Sequence, residues 1–169
     1  MQFNIKNQAK KRIIFSTLLI FLTIGFSNLS FAQKTIKGIM PVDVYLNMEK
    51  QGFTTVKDFG SFGNSWTSKK NYAGIDYDVS AYSSSGVSNV ENVRAIAQID
   101  VTQKKISATL PFFIFVSSLP YDGSNPQQAE KWIRSNFNQK KATTIIGGAK
   151  LTLFAPSIMM RIMIIEPVD

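Results

Sequence analysis

Between Gly74 and Val101 the sequence alternates. Ile75, Tyr77, Val79 and Ala81 are separated by Asp76, Asp78 and Ser80, with Tyr82 following. After Ser83-Ser84-Ser85-Gly86, Val93, Ala95, Ala97, Ile99 and Val101 take up the same rhythm, with Arg94, Gln98 and Asp100 among the residues between them. A period of two puts one set of side chains on each face of a strand, so each segment reads as a half-buried strand with one wet face. Two such strands joined by a serine-glycine turn pair most simply as antiparallel neighbours.

The rest of the chain is read around that pair. Ile36–Ile39 is short, apolar and flanked by lysine, and reads as a first strand. Pro41 opens a helix expected over 41–51, because proline suits the first helical position, where its missing N–H is not needed. Val44, Tyr45 and Met48 share one face of it. Gly52 can take the left-handed conformation that ends a helix, letting Phe53 pack back over the last turn. Residues 54–72 read as a short strand near 54–58, a glycine-bearing loop, and a strand around 65–70. Phe112–Val116 is a continuous apolar run and reads as a strand buried on both faces. Asn125-Pro126-Gln127-Gln128 starts a second helix, expected over 126–138, with Asn125 as cap and Gln128 completing a capping box. Thr143–Ile146 and Leu151–Phe154 flank Gly147-Gly148, and Ile158–Ile165 reads as a central strand with Arg161 the one charged exception.

Helix, strands, helix, strands is the order of an α+β fold: a mostly antiparallel sheet with two helices packed on one face. Pro41–Phe53 and Pro126–Phe137 echo one another, and each is followed by strands. Two helices by themselves can produce that echo.

Upstream of this domain the chain has a different character. Lys6, Lys10, Lys11 and Arg12 come with no acid, an apolar run follows from Ile13 to Phe26, and Ser30 and Ala32 sit three before and one before a cut at Ala32/Gln33. A basic start, a short apolar middle and a small-x-small end make a cleaved signal peptide over residues 1–32. The competing reading is an uncleaved anchor, opposed by Ser27, Asn28 and Ser30 within the stretch. No cysteine follows it to carry a lipid. Processing would leave a single domain, 33–169, and would remove four of nineteen basic residues and none of eleven acids, so the net charge falls from +8 to +4. That mild balance, together with export, argues against a nucleic-acid partner.

The chain has no histidine and no cysteine. There is no Ser-His-Asp triad, no Cys-His pair, no thiolate zinc site and no disulfide framework. Gly147-Gly148 lacks the Lys-Ser/Thr of a phosphate loop, and Gly-x-Ser-x-Gly and Ser-x-x-Lys are absent. Asp76 and Asp78 share a strand face roughly 7 Å apart. Such a pair can serve glycoside hydrolysis or calcium, against the plainer reading of a solvated face near Arg94, Lys69 or Lys70. Met159, Met160 and Met163 read as core packing rather than a copper site. Lys69-Lys70, Lys104-Lys105 and Lys140-Lys141 read as solubilising turns, or as an anionic-surface patch if they converge.

The aromatic segment is the main candidate site. Phe59, Phe62, Trp66 and Tyr72 beside Lys69 and Lys70 are suited to stacking on sugar rings or on a hydrophobic partner, and the plainer alternative is a satellite core beneath a loop. The expectation is therefore an exported protein, periplasmic or secreted, that binds a protein or glycan partner of the cell envelope without catalysis. It would need no cofactor and no metal, and would have no transmembrane span after cleavage. Two alternatives stand beside it: a carrier of a small apolar ligand, and a hydrolase built on carboxylate or serine that acts on envelope glycans.

Overall fold

A computed structural model describes residues 34–61, 63–100 and 106–168. The signal peptide expected over 1–32 lies outside the described residues, as do Phe62, Val101 and the Lys104-Lys105 pair. The remainder is an α+β unit: helix α1 (Pro41–Lys50), strands β1 (Thr54–Gly60), β2 (Gly63–Tyr72), β3 (Ile75–Ser84) and β4 (Asn92–Ile99), a short 3₁₀ turn (Ile106–Thr109), helices α2 (Leu110–Ser117) and α3 (Pro126–Asn136), and strands β5 (Lys141–Ile146), β6 (Ala149–Ser157) and β7 (Met160–Pro167).

All seven strands form one open antiparallel sheet in the order β1-β2-β3-β4-β7-β6-β5. The first half of the chain runs from the β1 edge inward to β4. The second half runs from the β5 edge inward to β7, and β4 and β7 meet in the middle, with Ala95 opposite Met163. The echo between the two helix starts thus has a counterpart in the layout, since each helix precedes a meander that ends at the centre of the sheet.

One sheet face is buried. Val79, Ala81, Val93, Ala95, Ala97, Leu151, Leu153, Met163 and Ile165 pack with Val44 and Met48 of α1, Phe113 and Val116 of α2, and Ala129 and Ile133 of α3. The alternation read from β3 and β4 supplies this face, as expected. The small alanines on the two strands leave room for the helices above them.

Local signals explain the helix ends. The Met40 N–H donates to the Asp43 carboxylate at 2.8 Å, and Pro41 begins α1. At the other end the Gly52 N–H donates to the Glu49 carbonyl and the Phe53 N–H to the Met48 carbonyl. With Gly52 at φ 79°, this is the Schellman ending, which carries Phe53 into the core. The Asn125 side chain accepts from the Gln128 N–H at 3.0 Å and caps α3.

Three expectations are corrected. Phe112–Val116 is not a strand but most of α2, so there are three α-helices among the described residues rather than two. A short apolar run does not separate a buried strand from a buried helix by periodicity. Pro111 does separate them: it removes a ladder donor from a central strand but suits a helix's first turn. Ile36–Ile39 is not a strand either. It turns at Lys37-Gly38, with the Ile36 N–H donating to Val90 O and the Val90 N–H to Ile39 O, and both isoleucines are buried. Finally, the strands expected near 54–58 and around 65–70 extend to Thr54–Gly60 and Gly63–Tyr72 and pair as a hairpin, so Phe59 stands on a strand instead of in a loop, while Trp66 lies on the strand expected there.

Arg161 lies on the buried face of β7. Its guanidinium donates to the carbonyls of Phe137, Ser157 and Met160 and stacks on the Phe137 ring at 5.4 Å. The charge is accommodated by carbonyls that include the one just past α3, which ties that helix end to the central strand.

Candidate functional site

The six residues selected from the sequence do not form one cluster. Trp66 packs edge-on against Phe59 at 5.9 Å, near the β1–β2 turn. Lys70 and Tyr72 lie four and six residues further along β2, about 13–20 Å away at ~3.3 Å per residue. Lys69 points to the other sheet face, where it pairs with Asp78 at 3.8 Å. Adjacent strand residues face opposite ways, so the Lys69-Lys70 pair cannot act as one patch. Phe62 lies outside the described residues.

What β2 does assemble is a cleft at its Tyr72 end. Lys70 sits opposite Tyr77 in the β2–β3 register, and the strands turn at Ala73-Gly74, both with positive φ. A two-residue turn with that geometry matches strand twist and holds Tyr72 and Tyr77 on one side. The Schellman ending of α1 delivers Gln51 and Phe53. Helix α2 delivers Pro111, Phe112 and Phe115, the two phenylalanines three positions apart on one face. Together these residues line a cleft of about 230 Å³.

The rings brace one another. Phe53 and Phe112 are nearly parallel, 17° apart with centroids at 6.1 Å, and Tyr77 tilts against Phe112 at 4.8 Å. Phe112 also packs edge-on against the fully buried Phe113, which anchors the cleft to the core. The Lys70 ammonium lies among these rings, 5.7 Å from the centre of Phe53 and 5.4 Å from that of Tyr72, and donates to the Gln51 carbonyl at 2.6 Å. Among the described residues it has no carboxylate within ion-pair distance. Burial, and secondarily the neighbouring Tyr72, pushes the Tyr77 phenol above its ordinary pKa.

Of the residues selected from the sequence, Lys70 and Tyr72 belong to this cleft. Phe53, Tyr77, Phe112 and Phe115 were missed. The available signal was the face of β2: Lys70 and Tyr72 are two apart and look the same way, toward Tyr77 across the hairpin.

The sheet's other face is not covered by any helix among the described residues. Asp76 and Asp78 lie there, as the alternation implied. Asp76 accepts from Asn71 at 2.6 Å, and Asp78 accepts from Ser80 at 3.1 Å besides pairing with Lys69. Both carboxylates line a larger depression of about 520 Å³ with Ile96, Gln98 and Met160. Among the described residues no three acidic, histidine or cysteine side chains come together as a metal site. Met163 is in the core, and Met159 and Met160 are half-buried near the β6–β7 turn. No described helix is long and apolar enough to cross a membrane. Compared with protein-family profiles, curated protein sequences and solved structures, the chain matches none.

Proposed function

We propose that residues 1–32 direct export and are removed, and that the remaining domain is a non-catalytic binding protein, periplasmic or secreted, whose contact site is the cleft at the Tyr72 end of β2. One observation carries the reading: five aromatic rings line one cleft together with a lysine that has no acidic partner among the described residues and lies over two of them, Phe53 and Tyr72. Aromatic residues gathered around a concave surface are enriched among the anchors of binding sites. No carboxylate lines the cleft, whose titratable groups are Lys70, Tyr72 and Tyr77. Its size and lining also favour the carrier of a small apolar ligand over a broad protein–protein interface. A glycan hydrolase has less support, because Asp76 and Asp78 are each engaged by sheet neighbours on the opposite face.

Two measurements test this. The exported protein should have an intact mass corresponding to a chain that starts at Gln33; full-length protein retained in the cytosol would defeat the export claim. Screening a small-molecule library against ¹⁵N-labelled exported protein should move the amide signals of Phe53, Lys70, Tyr72 and Phe112 together. Perturbations confined to Asp76, Asp78 and Gln98 would transfer the site to the open face.

A further inference from the structure

Resting on the reading of the cleft as a binding site, we infer that its ligand is a small carboxylate: one aromatic ring or short acyl chain ending in an anionic group. Size is the first argument. About 230 Å³ is below the roughly 300–1,000 Å³ of sites for drug-sized ligands, which leaves room for a single ring or a few methylenes. The apolar walls are the second. Phe53, Phe112, Phe115 and Pro111 present carbon surface that rewards an apolar body.

Charge is the third argument and decides the class. Aromatic ring faces attract cations, so a cluster of this kind would ordinarily suit an ammonium ligand. Here the cation is already in place. Lys70 occupies the space over Phe53 and Tyr72, and a second positive charge beside it would be repelled. An ammonium carries three donors, and the Gln51 carbonyl takes one of them. A ligand carboxylate would accept from another, giving a charge-assisted hydrogen bond next to apolar walls that weaken competition from water. The protonated Tyr77 phenol is a further donor lining the same cleft.

The experiment is a titration of ¹⁵N-labelled exported protein with three probes of matched shape: 3-phenylpropanoate, 3-phenylpropanol and 3-phenylpropylammonium. The carboxylate should bind at Phe53, Tyr72 and Phe112 at least tenfold more tightly than the alcohol, and the ammonium should bind more weakly than either. In Lys70→Met, which keeps the apolar stem, carboxylate affinity should fall to that of the alcohol, with alcohol binding unchanged as the check that the cleft is intact. Lys70→Arg should retain the preference. Equal binding of carboxylate and alcohol at the cleft in the wild type would overturn the inference while leaving the cleft as a binding site. Absence of any probe from the cleft would overturn both.

Discussion

At one end of β2, Trp66 packs edge-on against Phe59; at the other, Tyr72 and Lys70 border a cleft. The two rim aromatics are almost equally exposed, Phe59 at 66% and Tyr72 at 65%. Their surroundings differ. Phe59 lies on the edge strand β1, and its ring contact is Trp66 on the neighbouring strand. Tyr72 faces elements that arrive from far along the chain: the end of α1 and the first turns of α2. Exposure of an aromatic side chain therefore does not define a site. What sets the Tyr72 end apart is a second wall, because α1 and α2 add apolar contact surface that the Phe59 end lacks.

The largest expected effect comes from removing that second element's ring. Phe112→Ala should cost about 2–3 kcal/mol in chemical denaturation, toward the low end for phenylalanine truncation because the ring is half-buried. A loss under about 0.5 kcal/mol, as for ordinary surface positions, would mean that the cleft is not braced by α2. Trp66→Ala should cost about 1–2 kcal/mol, an aromatic pair plus the burial of a half-exposed ring, and should leave probe binding at the cleft unchanged. Tyr72→Ala should do the reverse, with stability within about 0.5 kcal/mol of wild type and a several-fold loss of probe affinity in the same titration. If Trp66→Ala weakens binding as much as Tyr72→Ala does, the contrast between the two ends of β2 disappears.

The smallest effect is in pH dependence. The Tyr77 phenol is raised above its ordinary value near 10 by burial and by Tyr72. A raised phenol binds its proton more tightly in the folded state, so its contribution to stability is present below pH 10 and is lost as pH rises through the folded pKa. Tyr77→Phe should therefore flatten the fall in stability above pH 10. Burial pushes Tyr121 the same way, so the slope should be reduced rather than abolished. An unchanged alkaline slope would place Tyr77 in freer contact with water than the cleft allows.

Much of the fold was legible locally. Pro41 and Asn125-Pro126 mark the starts of α1 and α3, Gly52-Phe53 marks a Schellman ending, and Gly147-Gly148 turns β5 into β6. The alternation in 75–82 and 93–99 separates the buried face from the open one. The candidate site was legible only in part. Lys70 and Tyr72 stood out by type and neighbourhood, but grouping them with Lys69, Phe59 and Trp66 followed closeness in sequence, which on a strand puts neighbours on opposite faces or many ångströms apart.

The order of amino acids was enough to set the starts of α1 and α3, the turn between β5 and β6, and the facing of the side chains of β3 and β4, because those features depend on backbone sterics, missing donors and a period spanning a few residues. Long-range packing set the strand order that seats β7 against β4 and brought Phe53, Tyr77 and Phe112 together in the cleft with Lys70. Those outcomes depend on which apolar faces bury one another across dozens of residues, and the free energy of that burial outweighs any local preference.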